Sequence, residues 1–200
     1  MDDKRWLVDY FARYREALFA TDVSGQLVEL KELMVASRAI GRKVIIAGNG
    51  GSAAIASHCA VDLTKNARLR CINFNEADLI TCLANDYGYA LWLAKALEFY
   101  ADDGDLVVLI SSSGKSDNLL NAARYAASRG LTLVTFTGFR ADNPLKQLGQ
   151  LNLWVESRAY NIVEMTHQIW LLAVCDLIIG SAEYPAQQPS ERALPDAFAR

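Results

Sequence analysis

Short runs of apolar residues alternate with helix-length segments along most of the chain. The runs are nearly continuous in apolar character, and they lie at residues 44–47, 71–74, 106–110, 131–136 and 151–155. Strands without polar alternation are buried on both faces, as they are in parallel sheets that helices cover. The pattern therefore predicts an α/β fold, a three-layer sandwich in which helices flank a five-stranded parallel sheet.

Two helices are predicted before the first strand. Apolar residues recur at helical spacing over residues 3–20 and 24–41, and Gly41 closes the second helix as C-terminal glycines do. We expect residues 1–41 to form a helical hairpin that belongs to the same domain as the sheet. The first helix is rich in aromatic residues, which is typical of subunit interfaces. These residues are Trp6, Tyr10, Phe11, Tyr14 and Phe19.

The rest of the chain is predicted to be one domain over residues 42–180, followed by a flexible tail over residues 181–200. Three prolines and paired glutamines in that last segment indicate the tail. A final helix is predicted over Tyr160–Ile179, and its most apolar part contains Asp176. Because no apolar run reaches the roughly 18 residues of a membrane span, we expect a buried helix there and no membrane partner.

Composition and charge narrow the possible classes of function. The chain has 200 residues, of which 52% are hydrophobic and 22% charged, which is typical of a folded globular protein. Its net charge of −3 provides no basic field for nucleic acid or an anionic membrane. The sequence begins without the pattern of a signal peptide, and its four cysteines are scattered. We therefore expect a protein of the reducing cytoplasm.

The first candidate site follows the first strand, where residues 48–52 read GNGGS; we call this segment the glycine turn. Glycines permit close approach to the backbone, and the helix that follows offers free N–H groups and a partial positive charge. An anion suits such a turn, although a merely tight turn gives the same pattern. The segment matches neither GxGxxG nor a glycine-rich loop ending in GKS or GKT, so no nucleotide cofactor is expected.

The second candidate site follows the third strand, where residues 111–116 read SSSGKS; we call this segment the serine loop. Hydroxyl and N–H groups at the start of the helix predicted over 117–129 suit a phosphate group. The alternative is an ordinary serine N-cap. In a flavodoxin-like strand order, 2-1-3-4-5, the first and third strands are neighbours. The glycine turn and the serine loop would then face one crevice.

Together with LANDYGY at residues 83–89, these segments resemble the sugar isomerase (SIS) domain family, and within it most resemble the phosphoheptose isomerase branch. The resemblance runs over about residues 3–180. It implies a phosphosugar substrate and a homotetramer with its sites at subunit interfaces. It also implies the residues that bind substrate: Asn49, Gly50, Gly51, Ser52 and Asp86 toward the sugar, and Ser111, Ser112, Ser113 and Ser116 toward the phosphate.

The residues at the family's catalytic positions are partly different in this chain. His58 and Asp62 lie four residues apart on one helix face, where the family has a histidine and a glutamate. The family's last helix presents a glutamine and, eight residues later, a histidine; these positions fall at Glu164 and Leu172. Leucine can neither transfer a proton nor bind a metal. The resemblance therefore assigns catalysis to Asp62, Glu164 and His58, and the same three residues as possible zinc ligands.

Purely structural roles for the same residues remain as alternatives. His58 suits a hydrogen-bonded structural histidine, and Asp62 suits a surface residue or an ion-pair partner. His167, the other histidine of the chain, is followed by the packing residues Ile169 and Trp170, which favours a structural role. Glu164 lies near the start of a helix, where a carboxylate also complements the helix dipole.

Two functions from different classes follow. The first is an isomerase that converts sedoheptulose 7-phosphate to D-glycero-D-manno-heptose 7-phosphate, for the heptose of lipopolysaccharide or capsule. The second is a non-catalytic regulatory or interaction protein that binds a phosphosugar. Leu172 favours the second, whereas His58, Asp62 and Asp86 favour the first, and we expect the enzyme.

Overall fold

The computed structural model describes residues 2–183, which form a five-stranded sheet in the order β2-β1-β3-β4-β5. Every pair of neighbouring strands is parallel. Helices flank the sheet on both faces, so the predicted α/β sandwich is confirmed. The elements are α1 Asp3–Phe19, α2 Ser24–Ala39, β1 Val44–Gly48, α3 Gly51–Lys65, β2 Cys71–Ile72, α4 Ala77–Tyr87, α5 Trp92–Tyr100, β3 Leu106–Ser111, α6 Asp117–Ser128, β4 Thr132–Thr137, α7 Pro144–Leu148, β5 Leu151–Trp154 and α8 Tyr160–Ile179.

The core has two halves, one on each face of the sheet. Ile46 and Val108 point to the half that α2, α3 and α8 cover. Their neighbours Ile45 and Val107 point to the half that α4, α5, α6 and α7 cover. Every residue of β1 and β3 is buried, because successive side chains of a strand alternate between two covered faces. This double burial explains the uninterrupted apolar runs of the sequence.

One predicted strand is shorter in the structure, and one predicted segment lies mostly outside the described residues. The second strand is only Cys71–Ile72 instead of 71–74, because the side chain of Asn73 accepts a hydrogen bond from the N–H of Asn75 (3.0 Å). Such a local turn competes with strand pairing and ends it. The expected tail begins at residue 181, but residues 184–200 lie outside the described part of the chain.

Helix α8 crosses one face of the domain. Its mean hydropathy reaches 1.6 in an 18-residue window, so by length and composition alone it would suit a membrane span. Its apolar side chains, however, pack on α1, α2 and α3 and include the fully buried Val163 and Val174. The expectation of a buried helix at this position agrees with that packing.

The two N-terminal helices both pack on α8 more extensively than on each other. In α1 only Ala17 is buried, whereas Trp6, Phe11 and Phe19 are exposed. The predicted pair of helices is therefore present, but α8 rather than a close hairpin contact holds it. An apolar helix surface this large on one chain is typical of a protein interface.

A buried ion pair joins the amino ends of β1 and β3. The side chain of Asp105 is 0% exposed, and its carboxylate accepts hydrogen bonds from the N–H groups of Lys43 (3.0 Å) and Asp102 (2.8 Å). The ammonium of Lys43 lies 2.5 Å from the same carboxylate and 2.7 Å from that of Asp102. Burial alone would lower the pKa of Lys43, but the two carboxylates outweigh burial and raise it. This contact fixes the two strands whose opposite ends carry the candidate site.

Replacing Asp105 by alanine should destabilise the fold, because two backbone N–H groups lose their acceptor and the buried ammonium of Lys43 keeps only the exposed carboxylate of Asp102. Breaking a buried pair from one side typically costs about 3–5 kcal/mol. The free energy of unfolding from urea titration measures this loss. The matched control is Asp103→Ala, which removes an exposed ion pair with Arg129 and should leave the urea midpoint unchanged. Equal midpoints for wild type and Asp105→Ala would contradict the structural role of this pair.

Candidate active site

Each of the three glycine positions in the glycine turn requires that residue for a different structural reason. Gly50 has φ +55°, in the left-handed region that favours glycine. A Cβ atom on Gly48 would collide with Ser52 and with the carbonyl of Ile110, because α3 begins immediately beside β3. A Cβ atom on Gly51 would collide with the carboxylate of Glu164. The glycines therefore allow β3 and the carboxylate of Glu164 to approach the backbone closely, and they leave space for a ligand as well.

Glu164 lies on α8 with its carboxylate against the first residue of α3. The positive end of the helix dipole and the free N–H groups of the first turn favour a negative charge at this position. Burial acts in the opposite direction and raises the pKa of the Glu164 carboxyl above its ordinary value. Glu164 is therefore a carboxylate with increased basicity, held beside the glycine turn.

The serine loop has a defined conformation before any ligand is considered. The N–H of Gly114 donates to the hydroxyl of Ser111 (3.2 Å), and the N–H of Lys115 donates to that of Ser113 (3.3 Å). Gly114 has φ +63°, and a Cβ atom there would collide with the side chain of Asn143. Ser116 is the N-cap residue of α6, but its hydroxyl makes no capping hydrogen bond. Ser111 and Ser113 thus stabilise the loop, while Ser116 keeps its hydroxyl available.

Ser112 is the most informative residue of the serine loop. Its side chain is 4% exposed, yet its hydroxyl has no hydrogen-bond partner among the described residues. A buried hydroxyl without a protein partner is unfavourable unless a ligand or a water molecule satisfies it. Ser112 lines a cavity of about 270 Å³ between the two loops. The cavity wall consists of Asn49, Gly50, Gly51, Ser52, Ile110, Ser111, Ser112, Ser113, Ser116, Leu119, Tyr160 and Glu164.

The structure thus brings together nine residues that the sequence predicted for the site, eight from the two loops and Glu164 from α8. The neighbouring strands β1 and β3 carry the loops to the same edge of the sheet, in the register Gly48↔Ile110. Hydroxyl and N–H groups suited to a phosphate and a carboxylate of raised pKa therefore face one cavity.

Asn118 and Tyr160 belong to this region but were missed by sequence reasoning. The amides of Asn49 and Asn118 donate to each other, at 3.0 and 2.9 Å, and so fix the glycine turn against the first turn of α6. The phenol of Tyr89 also donates to the Asn49 side chain (3.4 Å). The sequence signal that could have identified Asn118 as a site residue was its position two residues after the serine loop. Tyr160 lies one helical turn before Glu164 and hence on the same face of α8.

His58 and Asp62 lie outside the cavity wall. The imidazole Nε2 of His58 is 3.2 Å from the carboxylate of Asp62, and the His58 side chain is 56% exposed. Asp62 also accepts a hydrogen bond from Asn66 (3.2 Å). Across the helix contact, burial and the charge of Asp62 raise the pKa of Asp176 on α8. Within one chain His58 and Asp62 therefore contact each other further along α3, and their catalytic role stays a prediction.

The expected zinc ligands do not converge within one chain. Zinc requires three or four ligands at bonding distance. No three His, Cys, Asp or Glu side chains among residues 2–183 are arranged to hold a metal ion. Glu164 contacts the first residue of α3, whereas His58 follows seven residues later, about 10 Å along the helix axis. His58, Asp62 and Glu164 therefore do not fit a zinc site in the single chain, and zinc binding stays a prediction.

Asp86 also lies outside the cavity. It is an exposed residue near the end of α4, and its carboxylate accepts from the side chain of Asn85 (3.0 Å). The nearby Tyr89 is the member of this segment that contacts the glycine turn. A role for Asp86 in sugar binding stays a prediction that a single chain does not test.

Leu172 and His167 are the two other candidate positions on α8, and neither side chain can act as a base. Leu172 is half-buried and carries no titratable group. His167 is fully buried, and its Nε2 lies 3.0 Å from the carbonyl of Thr137, to which it donates. Burial lowers the pKa of His167 to about 4, so this imidazole is neutral at ordinary pH. His167 has the structural role that its neighbours indicated.

Known proteins resemble this chain in sequence. The sequence model of the SIS domain family matches residues 8–138. The phosphoheptose isomerase of Geobacter sulfurreducens is 32% identical over 163 residues, which cover 78% of this chain and 86% of that protein. The phosphoheptose isomerase of Burkholderia pseudomallei strain K96243 is 33% identical over 156 residues, which cover 75% of this chain and 79% of that protein.

Solved structures extend the similarity to the whole fold. Phosphoheptose isomerase GmhA from Neisseria gonorrhoeae aligns with a TM-score of 0.82 at 26% identity, covering 88% of this chain and 98% of that one. A phosphoheptose isomerase from Francisella tularensis aligns with a TM-score of 0.83 at 24% identity, covering 90% and 100% of the two chains, and supports the fold alone. The chain therefore belongs to the SIS domain family, in its phosphoheptose isomerase branch.

Proposed function

We propose that the protein is an aldose–ketose isomerase that converts sedoheptulose 7-phosphate to D-glycero-D-manno-heptose 7-phosphate. One observation carries the proposal: a phosphate-binding loop with an unpartnered buried hydroxyl and a carboxylate of raised pKa line the same cavity. The phosphoheptose isomerases among its relatives support the choice of substrate. The same proposal places the protein in the cytoplasm, where its product is used to synthesise heptose for lipopolysaccharide or capsule.

The serine loop binds the phosphate end of the substrate. The hydroxyls of Ser112 and Ser116 and the free N–H groups of α6 donate to its oxygens, and the helix dipole stabilises its charge. The net charge of the loop itself is low, since Lys115 is its only charged side chain. Neutral donors therefore supply most of the recognition, and they fix the orientation of the sugar chain relative to Glu164.

Glu164 acts as the base of the proposed reaction. Isomerisation moves a proton between C1 and C2 through an enediol, and a carboxylate performs this transfer best when its pKa is raised toward the working pH. Glu164 meets this requirement, and among the three predicted catalytic residues it is the one in the cavity wall. His58 and Asp62 stay predicted catalytic residues further along α3.

A second candidate function is a phosphosugar-binding regulatory protein without catalysis. Leu172 favours it, because this side chain cannot take part in proton transfer where the related isomerases carry a histidine. The binding half of the site is the same in both proposals. Turnover by the wild-type protein, measured with and without added zinc, separates them: binding of sedoheptulose 7-phosphate without conversion in either condition would replace the isomerase by the sensor.

Replacing Glu164 by glutamine should lower turnover by roughly 100- to 10,000-fold, because the amide keeps the shape of the side chain but cannot accept the proton. The control is Glu156→Gln, which changes an exposed carboxylate outside the cavity and should leave turnover unchanged. In the wild type, kcat/KM should rise as the pH rises through the raised pKa of Glu164, since the base must be ionised. Unaltered turnover in Glu164→Gln would exclude Glu164 as the base.

The same variant has a predicted stability profile. The folded-state pKa of Glu164 is raised above the unfolded value, so ionisation of this group as the pH rises costs folding free energy. Glu164→Gln should therefore be more stable than wild type at neutral pH, and the difference should vanish below about pH 4, where both states are protonated. Thermal unfolding at the two pH values measures the effect, and a Gln variant less stable at neutral pH would contradict it.

Replacing Ser112 and Ser116 by alanine should weaken phosphate and sugar-phosphate binding without destabilising the fold. Neither hydroxyl has a hydrogen-bond partner among residues 2–183 to lose, whereas each lost hydrogen bond to a charged ligand costs about 1–2 kcal/mol, or roughly 5- to 30-fold in affinity. Calorimetric titration with inorganic phosphate measures the loss. Ser128→Ala, at the far end of α6, is the matched control. Full phosphate affinity in the double variant would remove the serine loop from the proposal.

The exposed aromatic surface of α1 supports a homotetramer, with a dimer as the alternative assembly. Phe11 is 62% and Phe19 is 79% exposed in the single chain, so replacing both by aspartate should dissociate the oligomer without unfolding the subunit. Light scattering at micromolar concentration measures the mass of both proteins. Asp9→Ala on the same helix is the control. A wild-type protein that stays monomeric under these conditions would contradict the assembly.

A further inference from the structure

Tyr160 is a cavity residue to which neither phosphate binding nor proton transfer assigns a role. It is the first residue of α8, and its side chain lines the cavity together with the serine loop and Glu164. Residues four apart on a helix share a face, and Tyr160 precedes Glu164 by one such step, about 6 Å along the axis. The side chain is 61% exposed, and its phenol makes no hydrogen bond to any residue from 2 to 183.

The ring of Tyr160 is held in place by an aromatic contact. Phe139 meets it edge to face, with ring centroids 4.8 Å apart and an interplanar angle of 71°. Phe139 has φ +54°, a backbone conformation that non-glycine residues adopt rarely and that clusters at functional sites. Its N–H donates to the carbonyl of Ser157 (2.8 Å), which lies in the segment that leads into α8. The contact therefore orders the ring although much of its surface is exposed.

The same segment connects Tyr160 to the phosphate-binding side of the cavity. The N–H of Gly138, the residue before Phe139, donates to the carbonyl of Ser112 (3.0 Å). A Cβ atom on Gly138 would collide with Val163 of α8 and approach that same carbonyl. One short turn thus sets the distance between the serine loop, which takes the phosphate, and the first turn of α8, which carries Tyr160.

We propose that Tyr160 determines specificity for the sugar chain, and this proposal rests on the proposed function. Its ring forms the side of the cavity next to Glu164, and its phenol hydrogen-bonds a hydroxyl group of the substrate adjacent to the reacting carbons. A phenol both donates and accepts, as does a sugar hydroxyl, and it carries no charge that would compete with the phosphate. A phenol that hydrogen-bonds a substrate hydroxyl favours ligands that carry it, and because Tyr160 is 61% exposed the discrimination is that of one neutral hydrogen bond.

The test compares two ligands and two tyrosine variants by calorimetric titration. Inorganic phosphate occupies only the serine loop, whereas sedoheptulose 7-phosphate also reaches Tyr160. Tyr160→Phe keeps the ring and its contact with Phe139 but removes the hydroxyl. Tyr125→Phe removes a phenol on α6, which accepts a hydrogen bond from Arg129 outside the cavity, and is the matched control.

Tyr160→Phe should bind sedoheptulose 7-phosphate about 5- to 10-fold more weakly than wild type, the usual effect of one neutral hydrogen bond. Its affinity for inorganic phosphate should stay within about 2-fold, and Tyr125→Phe should match wild type for both ligands. In turnover assays the loss should appear in KM rather than kcat, because a contact made equally in the ground and transition states changes KM alone.

Three results would overturn the assignment in distinguishable ways. If wild type prefers the sugar phosphate to inorganic phosphate and Tyr160→Phe shows the same preference, Tyr160 has no role in specificity, while the proposed function stands. If Tyr160→Phe loses affinity for both ligands equally, the residue supports the serine loop rather than the sugar. If wild type binds the sugar phosphate no more tightly than inorganic phosphate, the role of Tyr160 and the proposed function both fail.

Discussion

The parallel pairing of β1 with β3 is the constraint on which the site depends. The two strands run in register from Val44↔Leu106 to Gly48↔Ile110, so the chain leaves both at the same edge of the sheet. The glycine turn and the serine loop thereby lie side by side, each followed by the N-terminus of a helix. Two helix dipoles and their free N–H groups point toward one cavity, and an anion there needs few positively charged side chains. The buried pair of Lys43 and Asp105 fixes the same two strands at their other ends.

The contact between Glu164 and Gly51 places a carboxylate that can accept a proton in this cavity. The glycine turn excludes side chains where the carboxylate lies, and α8 supplies that carboxylate from the far end of the sequence. Burial already raises the pKa of Glu164, and a phosphate group in the same cavity would raise it further, since like charges disfavour ionisation. In the proposed reaction, a bound phosphosugar would therefore strengthen Glu164 as the base. The helix dipole at Gly51 opposes this effect and keeps the carboxylate ionisable.

The sequence predicted the architecture well because its signals were local. Continuous apolar runs indicated buried parallel strands, and both loops were recognised from glycines and serines next to a strand end. The contacts that complete the site are not local. Glu164 meets Gly51, Asn118 pairs with Asn49, and Tyr160 contacts Phe139 only after the chain has folded. No periodicity or composition specifies which of these distant residues meet. The family resemblance also groups His58 and Asp62 with Glu164; within one chain about 10 Å of helix separates the first residue of α3 from His58, and the grouping stays a prediction.

Isotope exchange tests most directly whether Glu164 and the serine loop act on one sugar phosphate by proton transfer at carbon. The wild-type protein is incubated with sedoheptulose 7-phosphate in deuterated water, and the sugar is followed by proton NMR. A base that takes the proton from C1 exchanges it with solvent, so deuterium should enter at C2 of the aldose that forms and, through the reverse reaction, at C1 of the ketose. Glu164→Gln should reduce the exchange and the conversion together. A wild-type protein that binds the sugar phosphate, yet neither exchanges a carbon-bound proton nor forms aldose, would contradict the account.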